Sequence, residues 1–560
     1  MSTTAWGRPA AGREPAGAAL LAWLADSSAP GMCVVTGGAG CGKSALLAWL
    51  VRHGTRAGTE GERVVHAFVP LGGLGVRGAV WTLADQLGLV ARGPEEFLAR
   101  LAADRRPVTV VLPDLHAADD PSAFAELVLA LNTYDHVRLV VETRSGTAVQ
   151  VQLADSGAAV MDLDEPQWTD EARRRSWDAT HTETMAPPAP PARQQAATVV
   201  ELDDPAALCA ADPWQVTAAF DADPEEHGGL RAAWLRAGQS LCRDQEAAER
   251  ALVLLTALGD GADPRLRPEL ARLAATAGWQ LEWSRVRGDM VPPWPGPVFA
   301  MTTAGLPAGQ ALLADHEGVP RTVDTTDGTP VGRLPQLPGR PGALCVLADS
   351  TVLALDDQGH LHETMLPGAP RPTGLAALLD DGPTPAQRLT DTLRTQLARS
   401  PGTALCATPG VVAVGASDGT VHAVTPMSPD EPARTAALHT GPITALTAFD
   451  LPVADDGVTV PLLYSGGADG RVRAWSPAAD PQPTPVAERR SPVTALSAGR
   501  TPRGLALAVA WADGLVELRL LDGGETRHLW PGTAVNALAL TAGGSLLIGT
   551  DDRLLCLRPQ

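Results

Sequence analysis

The chain has 560 residues, 19% charged and 45% apolar, enough apolar side chain for several cores and no bias toward disorder. Its formal net charge of −20 excludes general attraction to nucleic acid or to an anionic membrane, although a local basic face stays compatible with it. No apolar run reaches the roughly 18 residues of a membrane span, and the start, Met1-Ser2-Thr3-Thr4-Ala5-Trp6, lacks the apolar stretch of a signal peptide. Seven scattered cysteines, an odd number, argue against a disulfide framework and for a reducing cytoplasm. At about 150 residues per domain, three or four units are expected. Arginine over lysine, with abundant alanine, glycine and proline, is the compositional habit of GC-rich bacterial coding.

Gly12-Arg13-Glu14 precedes a helical spacing of Leu20, Leu21, Trp23 and Leu24. Met32 to Thr36 then reads as a buried strand, Gly37-Gly38-Ala39-Gly40-Cys41-Gly42-Lys43-Ser44 as a loop and Ala45 to Leu50 as a helix. That is G-x-x-x-x-G-K-S in the strand-loop-helix setting it requires. Glycines let successive N–H groups turn inward toward phosphate oxygens, and the helix N-terminus adds partial positive charge. Lys43 would reach the β- and γ-phosphates and the Ser44 hydroxyl would ligate magnesium. Lys43 is the only lysine in the chain, and a planar guanidinium does not replace a slim ammonium inside such a loop.

Arg63 to Val69 predicts a second strand, Gly78 to Leu89 and Pro94 to Ala103 two helices, and Pro107 to Leu112 a third strand running into Pro113-Asp114-Leu115-His116. A strand of this kind ends in an acid that holds magnesium. Asp114 is the one acid in that position, because Pro113 stands where a first aspartate is expected. Phe124 to Leu131 predicts a further helix, and Val137 to Arg144 a further strand ending in Arg144, either a phosphate sensor or a solvated charge. Strands alternating with helices predict a parallel α/β sheet for residues 1–165. Thr169 would cap a helix through Ser176. A proline-rich spacer follows at 186–192, and helical spacing returns at Pro205–Ala210, Pro213–Phe220, Gly229–Ala237, Gln245–Ala257 and Pro268–Ala277. Residues 166–290 thus predict a helical lid or connector.

Past Trp294 the pattern becomes short strands around tight turns. The clearest are Gly466-Gly467-Ala468-Asp469-Gly470-Arg471-Val472-Arg473-Ala474-Trp475 and Gly415-Ala416-Ser417-Asp418-Gly419-Thr420. Weaker copies surround Asp513-Gly514, Gln358-Gly359, Glu317-Gly318 and Asp551-Asp552. Strands such as Ile443-Thr444-Ala445-Leu446, Val493-Thr494-Ala495-Leu496 and Val535-Asn536-Ala537-Leu538 precede several of them. Residues 295–560 therefore predict an all-β propeller of six blades, seven with a hidden one, with a helix on its rim from Pro385 to Arg399.

The first 165 residues resemble the signal-transduction ATPases with numerous domains, through Gly12-Arg13-Glu14, Gly42-Lys43-Ser44, Asp114 to Asp119 and Val140 to Arg144. The resemblance implies ATP or ADP with Mg²⁺, adenine beside Arg13, the loop residues Gly37 to Ser44 around the phosphates, magnesium on Ser44 and Asp114, and a γ-phosphate sensor in Arg144. Lys43 and Asp114 would carry any weak ATPase activity, and Pro113 departs from the paired acids that favour turnover. The repeats resemble WD-repeat propellers in degenerate form, with Trp475 as the one good terminal tryptophan. Such discs bind proteins on their flat faces. A cytoplasmic nucleotide-operated signalling switch follows, with a protein partner on the propeller, slow or absent hydrolysis, and homo-oligomerisation as an open further step. The competing expectation is a non-hydrolysing interaction scaffold whose nucleotide is structural or vestigial. A metabolic kinase is disfavoured, since no second substrate site is visible.

Overall fold

A computed structural model of the chain describes residues 9, 11–55, 64–180, 200–287, 298–315, 317–368, 383–429, 431–453 and 459–560. The proline-rich spacer lies outside the described residues. The chain divides into two compact units, Met1–Val200 and Glu201–Gln560.

In the first unit, strands β1 (Met32–Thr36), β2 (Ala67–Phe68), β3 (Val108–Leu112), β4 (Val137–Glu142) and β5 (Ala159–Asp162) form a parallel sheet in the order β2-β3-β4-β1-β5. β1 and β3 are buried along their whole length, as continuous apolar strands covered on both faces must be. Successive side chains point to opposite faces. Val34, Val110, Leu139 and Val141 pack with Leu83, Phe97 and Phe124 in one layer. Cys33, Val35, Val111 and Val140 pack with Leu20, Leu46, Leu47 and Leu50 in the other. The helices that supply these layers are α1 (Glu14–Ala25), α2 (Lys43–Gly54), α3 (Val76–Leu87), α4 (Pro94–Ala103) and α5 (Pro121–Leu131). α6 (Ala148–Asp155) and α7 (Glu171–Thr180) complete the unit. The cap of α7 falls one residue later than expected: Asp170 Oδ1 accepts from Ala172 N and Arg173 N, both at 3.1 Å, while the Thr169 hydroxyl is taken by Arg13.

The second unit opens with α8 (Pro205–Ala210), α9 (Pro213–Ala222), α10 (Leu230–Leu241), α11 (Ala247–Ala257) and α12 (Leu266–Leu273). Aspartates at the N-caps Asp204 and Asp212 and prolines in the first turns start α8 and α9. Six further sheets follow, one of three strands among the described residues and five of four, so this unit is a six-bladed β-propeller. Its first strand in sequence, Trp279–Val286, pairs antiparallel with the last, Arg553–Pro559, and completes the sixth blade. The reading that placed residues up to 290 in a helical region therefore needs correction: Trp279–Val286 is the outer strand of the sixth blade, and its pairing with Arg553–Pro559 joins the two ends of the ring in one sheet. Trp279 is 1% exposed and donates its indole N–H to His528 O at 2.9 Å.

A cavity of about 70 Å³ runs along the axis, lined by the innermost strand of each blade. Four of these strands repeat a triplet there: Thr403-Ala404-Leu405, Thr444-Ala445-Leu446, Thr494-Ala495-Leu496 and Asn536-Ala537-Leu538. The first residue of each triplet sits at a register shift, a bulge that bends the strand where the blades converge. The expected rim helix is present as Pro385–Leu397, started by a Thr384–Gln387 capping box. It does more than ride on the rim, because Leu389 and Leu393 enter a core with Leu353, Leu361, Leu405 and Val414.

At the Asp469-Gly470 turn, Gly470 has φ +73°, and a Cβ there would stand 2.1 Å from Arg489 O. Gly470→Ala is expected to cost about 1–3 kcal/mol through the left-handed backbone, with the close carbonyl adding to it. Urea unfolding of the full chain, followed in the transition of the second unit, checks this; an unchanged midpoint would contradict it.

Candidate functional site

The loop between β1 and α2 turns on glycines whose positive φ strains any other residue. Gly37 has φ +145°, and a Cβ on it would meet Cys41 Sγ at 2.6 Å; Gly42 begins α2 at φ +95°. Lys43 is 6% exposed. Its ammonium donates to Gly37 O at 2.9 Å and Gly38 O at 2.8 Å, with Cys41 Sγ at 3.7 Å.

Four further groups converge on the carboxyl edge of the sheet beside Lys43. Asp114 follows β3 in a left-handed backbone, φ +59°. His116 lies one turn on, its Nδ1 buried without a hydrogen-bond partner. Burial holds the His116 imidazole below its usual pKa, Arg144 and Lys43 pushing the same way and Asp114 opposing them. The shared electrostatic influence places Lys43, Asp114 and the exposed Arg144 about one locus.

The fourth group was not singled out from sequence. Glu142, the last residue of β4, is 1% exposed, and the Ser44 hydroxyl lies 3.3 Å from its Oε1 and 3.4 Å from its Oε2. Burial pushes the Glu142 carboxyl up to about 7, with the Asp114 charge adding to the shift; Lys43 and hydrogen bonds from Ser44 and the Asp114 backbone act against it. β4 lies between β1 and β3 in the sheet, so its end faces both Ser44 and Asp114. A buried carboxyl from β4 thus stands beside both Ser44 and Asp114. The signal for it was a glutamate ending a run of valines, where an ionisable group has no water.

Arg13 stands at the base of the loop. Its guanidinium donates to Cys41 O at 3.1 Å from Nε, to Leu163 O at 2.8 Å and to Thr169 Oγ1 at 2.6 Å from Nη1, and again to Cys41 O from Nη2. Asp164 Oδ2 accepts from Gly38 N at 2.7 Å. Arg13 and Asp164 therefore fix the two ends of the loop, and Ala39 and Gly40 span the gap between them. A Cβ on Gly40 would meet nothing within 4 Å, so the space beside the loop is open.

In the propeller, His439 carries one full brace: Nδ1 lies 2.8 Å from Asp469 Oδ1 and Nε2 2.9 Å from Ser465 Oγ. In the next blade Arg489 binds Asp513 at 2.5 Å from the corresponding loop. Turn aspartates elsewhere in the ring find other partners, Arg321 on Asp315 and His362 on Asp356.

No known protein family and no curated protein matches the chain. Among solved structures it is similar to U3-55K, at 11% identity over 50% of this chain and 98% of that one with a TM-score of 0.32. It is also similar to the WD40 repeats of RRP9, at 12% over 50% and 100% with 0.32, and to the computationally designed Ika8 protein, at 15% over 50% and 100% with 0.30. At these values the likeness carries no argument, and the propeller rests on its own strand pairing. Together, the two units define a parallel α/β domain with a glycine-rich loop and a six-bladed β-propeller on one chain. No helix among the described residues is long and apolar enough to cross a membrane.

Proposed function

We propose that the chain is a cytoplasmic signalling switch that binds ATP or ADP with Mg²⁺ in its first unit and engages a protein partner through its propeller. The observation that carries the reading is Lys43, a buried ammonium held by carbonyls of a glycine-rich loop at the head of α2. In this reading Lys43 exchanges its contacts with Gly37 O and Gly38 O for phosphate oxygens, and the N–H groups from Gly40 to Ser44 supply the remaining donors. Ser44 and Asp114 would hold magnesium, whose charge would neutralise the phosphates. Glu142 accepts from the Ser44 hydroxyl, and Arg144 would sense loss of a terminal phosphate. Pro113, standing where paired acids would favour turnover, is in keeping with slow or absent hydrolysis. Seven unpaired cysteines accord with a reducing compartment. Partner binding belongs to the exposed faces of the propeller.

Nucleotide released from the purified protein and identified by mass and chromatography tests this directly. ADP or ATP is expected in the wild type, and Lys43→Ala is expected to weaken binding by about 100-fold or more, the cost of removing one charged, desolvated contact. No released nucleotide and no measurable affinity would leave a propeller scaffold carrying a disused loop.

A further inference from the structure

We propose a divalent transition-metal site, of the kind that takes Zn²⁺, formed by Asp223, Glu225 and His227 in the turn between α9 and α10. One ligand atom from each of the three lies within 4.8 Å of the others. The turn is built rather than loose. His227 has φ +47°, followed by Gly228 at +65° and Gly229 at +98°, and a Cβ on Gly229 would stand 2.9 Å from Ala262 Cβ. Asp223 Oδ1 accepts from Glu225 N at 2.9 Å, which turns the chain so that both carboxylates rise on one side.

The imidazole points to a ligand. The His227 side chain is 7% exposed and its ring meets Phe220 edge-on at 5.7 Å between centroids. Nδ1 lies 3.0 Å from Asp203 Oδ1, a carboxylate that can only accept, and the tautomer that serves it carries its lone pair on Nε2. Nε2 is buried without a hydrogen-bond partner, with Asp223 Oδ2 3.4 Å away on the side of the acid pair. A carboxylate behind a histidine whose other nitrogen faces further carboxylates is the outer-shell arrangement of metal-binding imidazoles. One nitrogen and two carboxylate oxygens suit zinc or a neighbouring ion better than magnesium or calcium, which take oxygen alone. Three protein ligands leave a fourth position to water. The ion would lock the turn that sets α9 against α10.

The test is calorimetric titration of the chelator-treated full chain with Zn²⁺ and with Mg²⁺, followed by Co²⁺ absorption. The expected result is one zinc-selective site whose cobalt spectrum lacks thiolate charge transfer, since no cysteine takes part. The paired substitution Asp223→Asn with Glu225→Gln should abolish it. Asp203→Asn alters a residue whose side chain is 83% exposed, so the fold should survive it, and zinc affinity should fall by about 10–100-fold through loss of the outer-shell partner. Lys43→Ala should leave the zinc site unchanged. No zinc binding at micromolar concentration, or binding indifferent to both the Asp223/Glu225 and the Asp203 substitutions, would overturn the site and leave a histidine paired with carboxylates.

Discussion

Arg553→Ala is expected to lower the stability of the second unit by about 3–5 kcal/mol, the penalty for removing one partner from a buried charged network. Arg553 is fully buried, yet each part of its guanidinium is engaged. Nη2 donates to Pro531 O at 2.7 Å and Thr533 Oγ1 at 3.0 Å, Nη1 to Thr256 Oγ1 at 3.2 Å, and Nε to Asp552 Oδ1 at 3.3 Å. Thr256 belongs to α11, so one side chain joins the helices of this unit to its sixth blade. Arg236 of α10 approaches the same carboxylate, 3.5 Å from Asp552 Oδ2. Truncation would remove one counter-charge from Asp552, 7% exposed in its side chain, and the donor to the Pro531 carbonyl. Adding Asp552→Ala to Arg553→Ala should cost less than the sum of the two single substitutions, because both remove the same contact. Arg265→Ala provides the contrast. That side chain is 87% exposed beside Asp263, and its loss should leave the transition close to that of the wild type. Calorimetry of the full chain separates these outcomes, and an Arg553→Ala transition as stable as that of Arg265→Ala would refute the network's role.

What the sequence showed and what it hid follow one physical division. The glycine-rich loop was legible because its chemistry is local: eight consecutive residues specify the turn, the ammonium and the hydroxyl. The blade count was legible for the same reason, each hairpin carrying its own turn at Gly419, Gly470 or Gly514. Features created by non-local pairing were not. The strand Trp279–Val286 completes a blade with Arg553–Pro559, a partner no local pattern announces. In two blades the brace joins a turn aspartate to a residue from a neighbouring loop, and that residue changes from His439 to Arg489 while the aspartates Asp469 and Asp513 stay. A search for a repeated histidine therefore finds a degenerate signature where the physical device persists. Arg13 donates to Cys41, Leu163 and Thr169, contacts that exist only after β1 and β5 pair.

Glu142 belongs to the same class, and its substitution carries the second large expected effect. In the folded chain its carboxyl keeps a proton up to about pH 7, whereas in the unfolded chain it releases it near the ordinary value of 4.5. Between those values the folded state binds more protons, so stability falls as pH rises, and the penalty is complete above pH 7. The difference amounts to about 3 kcal/mol. Glu142→Gln keeps an acceptor for Ser44 and removes the ionisation. In nucleotide-free protein with a chelator present, it should therefore stabilise the first unit by up to about 3 kcal/mol at pH 8 and leave it unchanged at pH 4. Hydrogen exchange of the full chain, read in peptides from β1 and β4, reports this; parallel pH profiles for wild type and variant would contradict it. Under the proposed function the same substitution has the opposite sign. A neutral amide near Ser44 no longer favours a cation, so the gain in nucleotide affinity that Mg²⁺ brings should fall, whereas Lys43→Ala should lose affinity with and without the metal. An acid that destabilises the unit in isolation and is held against Ser44 by the order of the sheet is a cost that binding would offset.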